Sequence, residues 1–263
     1  MCRLLAYIGS PIQPERLIYK PEHSLAIQSY KPKETVITTV NADGVGLGWY
    51  GSQKDEPPFI YKNSVPIWSD RNLPHLSRYI QSECFLAYIR SATPGQASNL
   101  NNCQPFYDDR LLFLHNGFID DFRQSLFLPI RKSLKDDIYL KIQGTTDSEH
   151  MFGLFLNELA SVGSSLQDAL EATLQKLNDL AKPDDIRFAA NIVVSDGSQL
   201  VASRFGRGIA GPSLYWLRDD PIVPNSVAIA SEPLFASNWN RVPDSSILCV
   251  RGDGEISIRQ IEC

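Results

Sequence analysis

Apolar and polar positions along the chain predict an order of strands, then helices, then strands. CRLLAYIG is apolar on both faces, which predicts a short buried strand at the start. PERLIYKPEHSLAIQSY mixes turn residues with one short helix, and NADGVGLGWY reads as a glycine-rich turn entering a strand. The polar segment from Gly51 to Pro66 holds three prolines and predicts a loop, with a short edge strand at FIY. RNLPHLSRYIQ has helical spacing, CFLAYIRSA reads as a strand, TPGQASNLNN as a loop, and RLLFLHNGFI as a strand running into a turn.

The middle of the chain is helical. Helices are expected from Asp121 to Leu140. TTDSEHMFGLFLNELA opens with a capping signature, Thr146 standing three residues before Glu149 and ahead of an apolar run. SSLQDALEATLQKLNDLA is amphipathic, with Leu166, Ala169, Leu170, Thr173, Leu174 and Leu177 on one stripe. After Pro183 the texture returns to strands: FAANIVVSDGSQLVASRF is two β runs around Asp-Gly, and LYWLR, SVAIASE, SSILCVR and EISIRQI continue it. Strands flanking a helical middle argue against a doubly wound parallel sheet and for two packed sheets with helices outside. No repeat or linker interrupts residues 1–263, which predicts a single domain.

Composition narrows the function classes. The chain has 263 residues, 43% hydrophobic and 21% charged, with net charge −5. No basic cluster points to nucleic acid or an anionic membrane surface. No apolar run approaches the roughly 20 residues of a membrane span, and LLAYIG is too short for a secretory leader. A cytoplasmic protein is expected. The cysteine count of five is odd and the spacing is wide, which argues against a disulfide framework or a zinc site. Cys84 and Cys249 lie in apolar runs and read as small buried hydrophobes.

One motif is a decoy. Gly46, Gly48 and Gly51 spell GxGxxG, but WYGSQKDEPP follows instead of a helix. Tight turning or close backbone packing explains these glycines better than dinucleotide binding.

Four stretches carry candidate chemistry, each with a plainer reading beside it. Cys2 is either a small apolar residue opening a strand or, once Met1 is removed, a nucleophile that carries its own base. An α-amine has a pKa of roughly 7.7–8.0 and a free thiol about 8.5, so both are within reach of neutral pH. In LLFLHNGFI, Asn116 and Gly117 form either a type I′ turn or an oxyanion hole built from a side-chain and a backbone N–H. In YIRSATPG, Arg90 makes either a surface ion pair or a carboxylate clamp. In TTDSE, Asp147 belongs either to a helix cap or to a site accepting a substrate ammonium. Each signal alone is weak. Together they suit a substrate with an α-amino acid head and a remote amide: glutamine or a γ-glutamyl amide.

With these motifs in order, the sequence resembles the class II (N-terminal nucleophile) glutamine amidotransferases. The resemblance rests on MCR, NADGVGLGWY, IRSATPG, NCQPF, HNG and TDSE, from Cys2 to Glu149. It implies an α+β fold, a four-layer αββα sandwich of two antiparallel sheets. It implies Cys2 as nucleophile, Asn116 and Gly117 as oxyanion hole, Arg90 and Thr93 as contacts to the substrate carboxylate, and Asp147 as contact to its amine. It implies no metal or organic cofactor. PEHSLAIQS, IQGTTDSE and VAIASEPL extend the resemblance to a standalone branch. That branch includes the γ-glutamyl amidohydrolase of ergothioneine synthesis and the amidotransferase-like subunit of fungal glutathione breakdown.

Two positions depart from the family pattern. Tyr88 stands where A-H-x-R has histidine, and Gln104 where N-x-H-P-F has histidine. The expected activity is γ-glutamyl amide hydrolysis that releases glutamate from a small-molecule substrate. Two alternatives stand beside it: a glutaminase subunit passing ammonia to a separate synthase, and a non-catalytic γ-glutamyl-binding subunit.

Overall fold

A computed structural model of the chain describes residues 2–34, 40–52, 56–92, 99–162 and 165–261. Its strands, in chain order, are β1 (Arg3–Ile12), β2 (Val45–Trp49), β3 (Phe59–Asn63), β4 (Ser82–Ile89), β5 (Phe106–Asp108), β6 (Leu111–Ile119) and β7 (Phe188–Ser195). They continue with β8 (Gln199–Arg207), β9 (Tyr215–Asp220), β10 (Val223–Ala230), β11 (Asn240–Arg241), β12 (Ser246–Arg251) and β13 (Ile256–Gln260). The helices are α1 (Glu15–Ile18), α2 (Leu25–Gln28), α3 (Leu73–Tyr79), α4 (Phe127–Ser133), α5 (Asp136–Tyr139), α6 (Asp147–Val162) and α7 (Leu166–Ala181).

The strands form two antiparallel sheets. One runs β11-β9-β10-β1-β4-β2-β3 and the other β13-β12-β8-β7-β6-β5. Three apolar clusters define the layers. Leu4, Ala6, Tyr88, Leu114, Val193 and Ala202 pack between the sheets. Leu5, Tyr7, Leu47, Phe85 and Ala87 face outward under Leu17, Leu25 and Leu73 of α1, α2 and α3. Phe113, Ile192 and Val201 face outward under Ile130, Phe155 and Leu170 of α4, α6 and α7. The result is the expected αββα sandwich. The stripe expected on α7 is the buried one, from Leu166 to Leu177, and the segment at FIY is the edge strand β3.

The glycines of the decoy motif serve close packing. Gly46 and Gly48 lie inside β2, where a Cβ would stand 1.8 Å from the Gln104 carbonyl oxygen and 2.8 Å from Leu112 respectively.

One expectation needs correction. Asn116-Gly117 is not a turn, because β6 continues through both residues to Ile119, with Asn116 opposite Asn191 and Gly117 opposite Ala190. Glycine is needed here for proximity rather than turning: a Cβ on Gly117 would stand 1.8 Å from the Ala189 carbonyl oxygen. Uninterrupted pairing with β7 satisfies the backbone and outweighs the local turn preference.

Candidate active site

β1 lies in the middle of its sheet, between β10 and β4. Strand alternation turns Arg3 to the outer face and Cys2 to the inner one. The Ser91 N–H donates to Cys2 Sγ at 3.2 Å, and the thiol reaches the Ser91 carbonyl at 3.4 Å. Arg3 holds the backbone of the same residue, its Nη1 donating to the Cys2 carbonyl at 2.9 Å. Arg3 Nη2 pairs with Glu232 Oε1 at 2.9 Å, and His23 Nε2 meets Glu232 Oε2 at 2.6 Å. The Glu232 carboxylate also accepts the N–H groups of Lys33 (2.9 Å) and Glu34 (3.0 Å). Burial alone would raise the Glu232 pKa. Its hydrogen bonds from His23, Lys33 and Glu34, with the Arg3 charge, instead lower it to about 2.

Arg90 follows β4 and is buried. The NADG turn fixes its main chain: Arg90 N donates to Gly44 O at 2.8 Å and Asp43 N to Arg90 O at 3.1 Å. Asp43 Oδ2 accepts the Ala92 N–H at 2.8 Å. Thr93 lies outside the described residues. Cys103, for which the sequence suggested no role, sits over Gly44, where a Cβ would stand 2.7 Å from its sulfur.

The second sheet supplies Asn116 and Gly117 from β6. Asn116 is buried, and its Nδ2 donates to Ser231 Oγ at 3.4 Å. Ser231 Oγ in turn accepts the Leu4 N–H at 3.0 Å. Ser231 thus links Asn116 to the strand carrying Cys2.

Gln104 continues where β5 stops. Its Oε1 accepts the His115 N–H at 2.6 Å and its Nε2 donates to the His115 carbonyl at 3.0 Å, as a neighbouring peptide would. Farther along β6, the Ile119 N–H donates to Asp147 Oδ2 at 3.1 Å. The N–H groups at 115 and 119 therefore point away from β7. The two-residue repeat of a strand aims the Gly117 N–H, midway between them, the same way.

Asp147 is the first residue of α6, half-buried, and its Oδ1 accepts the Ser148 N–H at 2.8 Å. The capping signature holds, since Thr146 Oγ1 accepts the Glu149 N–H at 3.2 Å. The Glu149 carboxylate reaches back to the N–H groups of Gln143 (2.9 Å) and Gly144 (2.6 Å).

His115 packs on the far side of β6 from Asn116. Burial lowers its pKa, which favours the neutral ring. In the tautomer that fits its partners, Nε2–H donates to the Ala189 carbonyl at 3.2 Å and Nδ1 accepts from Ser148 Oγ at 2.8 Å.

Tyr88 is buried in the same inter-sheet cluster as Cys2, and burial raises its pKa well above the usual phenol range. A separate cavity of about 520 Å³, lined by residues including Lys62, Phe106, Glu149 and Phe152, lies beside α6. Among the described residues, no group of three or more His, Cys, Asp or Glu side chains could hold a metal ion. No described helix is long and apolar enough to cross a membrane.

Residues 18–223 match the sequence profile of the class-II glutamine amidotransferases. The chain belongs to this family. As a class-II amidotransferase it has relatives along nearly its whole length. The probable glutamine amidotransferase DUG3 of Saccharomyces cerevisiae is 29% identical, over 95% of this chain and 82% of its own. The γ-glutamyl-hercynylcysteine sulfoxide hydrolase of Mycolicibacterium smegmatis is also 29% identical, over 95% and 96%. Among solved structures, a class-II glutamine aminotransferase domain protein of Silicibacter pomeroyi superposes with a TM-score of 0.73 at 25% identity, covering 100% of both chains. The glutamine phosphoribosylpyrophosphate amidotransferase of B. subtilis shares the fold, with a TM-score of 0.68 at 15% identity over 99% of this chain and 49% of its own.

Sequence reasoning passed over Ser231, Glu232 and His23 as parts of this site. Two signals were present: Arg3, a charge inside an apolar run, requires a buried partner, and PEHSLAIQS and VAIASEPL, two stretches of the resemblance, hold all three residues. The chain offers 30 acidic residues, and spacing alone does not select Glu232 from them.

Proposed function

We propose that this amidotransferase hydrolyses a γ-glutamyl amide and releases glutamate, with Cys2 as nucleophile after removal of Met1. The observation carrying this reading is that Asn116 of one sheet is tethered through Ser231 to the start of β1 in the other, where the Ser91 N–H, one residue after Arg90, donates to the Cys2 sulfur. In the reaction, the Cys2 α-amine takes the thiol proton through a water, and Sγ attacks the γ-carbonyl carbon. Asn116 Nδ2 and the Gly117 N–H receive the oxyanion. The C–N bond breaks, and the leaving amine departs with a proton from the α-ammonium. Water then adds to the thioester, the C–S bond breaks, and glutamate leaves.

Arg90 and Thr93 hold the substrate carboxylate, and Asp147 its ammonium. Residues 1–263 form one domain in this reading. Cys2, Cys84, Cys103 and Cys249 are free thiols, which suits the reducing cytoplasm.

The relative in M. smegmatis is named for hydrolysis of a γ-glutamyl sulfoxide, which favours a γ-glutamyl thiol-type metabolite as substrate. The yeast relative is named a probable glutamine amidotransferase, and its name favours a second reading. In that reading glutamine is the substrate and a separate synthase takes the ammonia.

The test is N-terminal mass spectrometry followed by glutamate-release assays on glutamine, glutathione and a γ-glutamyl sulfoxide. Cys2 as first residue and turnover of a γ-glutamyl compound are expected. Stimulation of glutamine turnover by a partner would favour the second reading. Binding without turnover would point to a non-catalytic subunit. Full activity with Met1 retained, or in Cys2→Ala, would sink the mechanism.

A further inference from the structure

The last bond between β1 and the chain leaving β10 takes an unusual route. Leu5 pairs with Ala230, which puts Leu4 opposite Ser231. The Ser231 N–H donates to the Leu4 carbonyl at 3.0 Å. A hydrogen-bonded antiparallel pair exchanges two such bonds, so the Leu4 N–H would ordinarily donate to the Ser231 carbonyl. It donates instead to the Ser231 hydroxyl oxygen at 3.0 Å, and the Ser231 carbonyl accepts the Ser213 hydroxyl at 2.8 Å. The Ser231 hydroxyl thus stands in for its own main chain. Asn116 Nδ2, from the other sheet, donates to the same oxygen at 3.4 Å. Ser231 and Asn116 are each 1% exposed, so bulk water does not compete for these bonds.

We infer that Ser231 is a positioning residue for the oxyanion hole, its hydroxyl oxygen holding one N–H of Asn116 so that the other faces the reacting carbonyl. This rests on the reading of Asn116 as oxyanion donor. Ser231 is the only hydrogen-bond partner of the Asn116 side chain among the described residues, since Asn116 Oδ1 is buried and unpaired. The terminal torsion of an asparagine is soft, so little else sets the direction of its amide. The amide nitrogen carries two N–H groups in one plane. Anchoring one of them aims the other.

The same oxygen sets the spacing between donor and nucleophile. Leu4 lies two residues after Cys2 on the same face of β1, and both belong to the inter-sheet cluster. One atom therefore bonds the Cys2 strand in one sheet and the oxyanion donor in the other. An oxyanion donor works when it is held in advance where charge develops. Ser231 supplies that hold without touching the substrate. Its loss should weaken binding of the transition state more than that of the ground state, and so appear in kcat rather than KM.

The experiment compares the wild type, Ser231→Ala, Ser231→Cys and Ser231→Thr, each alone and combined with Asn116→Ala. kcat and KM are measured on whichever of glutamine, glutathione and a γ-glutamyl sulfoxide is turned over fastest. The Asn116 side-chain NH₂ resonances are followed by ¹⁵N NMR. Ser231→Ala is expected to lower kcat by about tenfold with KM unchanged, and to shift the NH₂ pair. Ser231→Thr keeps the hydroxyl and is expected to recover most of kcat. Ser231→Cys offers a weaker acceptor of similar size, so its loss should be intermediate. It supplies the comparison if the alanine variant does not fold. In the Asn116→Ala background, replacing Ser231 should cost less than about twofold, because no amide is left to aim. An equal loss in both backgrounds would assign Ser231 a purely structural role through Leu4 and overturn the inference, as would wild-type kcat in Ser231→Ala. If the wild type released no glutamate from any of the three compounds, the proposed function would fail. The NH₂ resonances would still decide whether Ser231 holds the Asn116 amide, and an unchanged pair in Ser231→Ala would overturn it.

Discussion

On the outer face of β1, Arg3 is held by charge. One residue earlier, on the inner face, the Cys2 thiol meets the neutral Ser91 backbone. The outer network is closed. Arg3, Glu232 and His23 meet at 2.9 and 2.6 Å, and two backbone N–H groups complete the carboxylate. Such a network costs desolvation and returns a fixed geometry, here at the Cys2 carbonyl. The inner face avoids that cost and leaves sulfur free to form a bond. The outer face should therefore govern stability and the inner face rate. Each prediction below breaks or sharpens that division.

The largest effect is expected from Cys2→Ala. It should lower glutamate release by about 10⁴-fold or more, as loss of a covalent nucleophile does, with the urea-denaturation midpoint close to wild type. Glu232→Ala tests the other face. Removing the buried carboxylate that pairs with Arg3 should cost about 3–5 kcal/mol of unfolding free energy, read from urea denaturation. A stability loss under 1 kcal/mol would mean that the network is ornamental. Asn116→Ala returns to the inner face. It should lower kcat by roughly 10²–10³-fold, as loss of one oxyanion donor does, and leave KM near wild type.

Acid should act through the outer face. Glu232 is lowered in the folded protein to about 2 from an ordinary 4.5. Its contribution is fully present above the unfolded value and is lost as pH falls from 4.5 toward 2. The shift corresponds to on the order of 3 kcal/mol. Stability measured across that window should fall less steeply in Glu232→Gln than in wild type. The smallest expected effect is Thr146→Ala. Removing the α6 cap should cost about 1 kcal/mol of stability, and a slightly displaced Asp147 would appear as a raised KM.

These residues also show where sequence reading succeeds. Thr146 and Glu149 were legible as a cap because the rule relating them is local, three residues along one chain. The stripe on α7 was legible for the same reason. Asn116-Gly117 misled because the local rule favours a turn, whereas pairing with β7 across the sheet decides for a strand. Tyr88 and Gln104 stood out only as departures from a pattern. Tyr88 shares a buried cluster with Cys2, 86 residues away, and Gln104 bonds the His115 backbone, 11 residues away.

By itself, the sequence determined the strand–helix–strand order, the helix carrying Asp147, and the residue types able to handle a γ-glutamyl head. Periodicity, capping and side-chain chemistry are properties of neighbouring residues, so they survive in one dimension. Only the tertiary structure decided which acid answers Arg3, what stands against the Cys2 sulfur, and where the Gly117 N–H points. Those outcomes depend on strand register and on two sheets meeting face to face. Register is fixed by the summed burial and hydrogen bonding of whole strands rather than by any short motif.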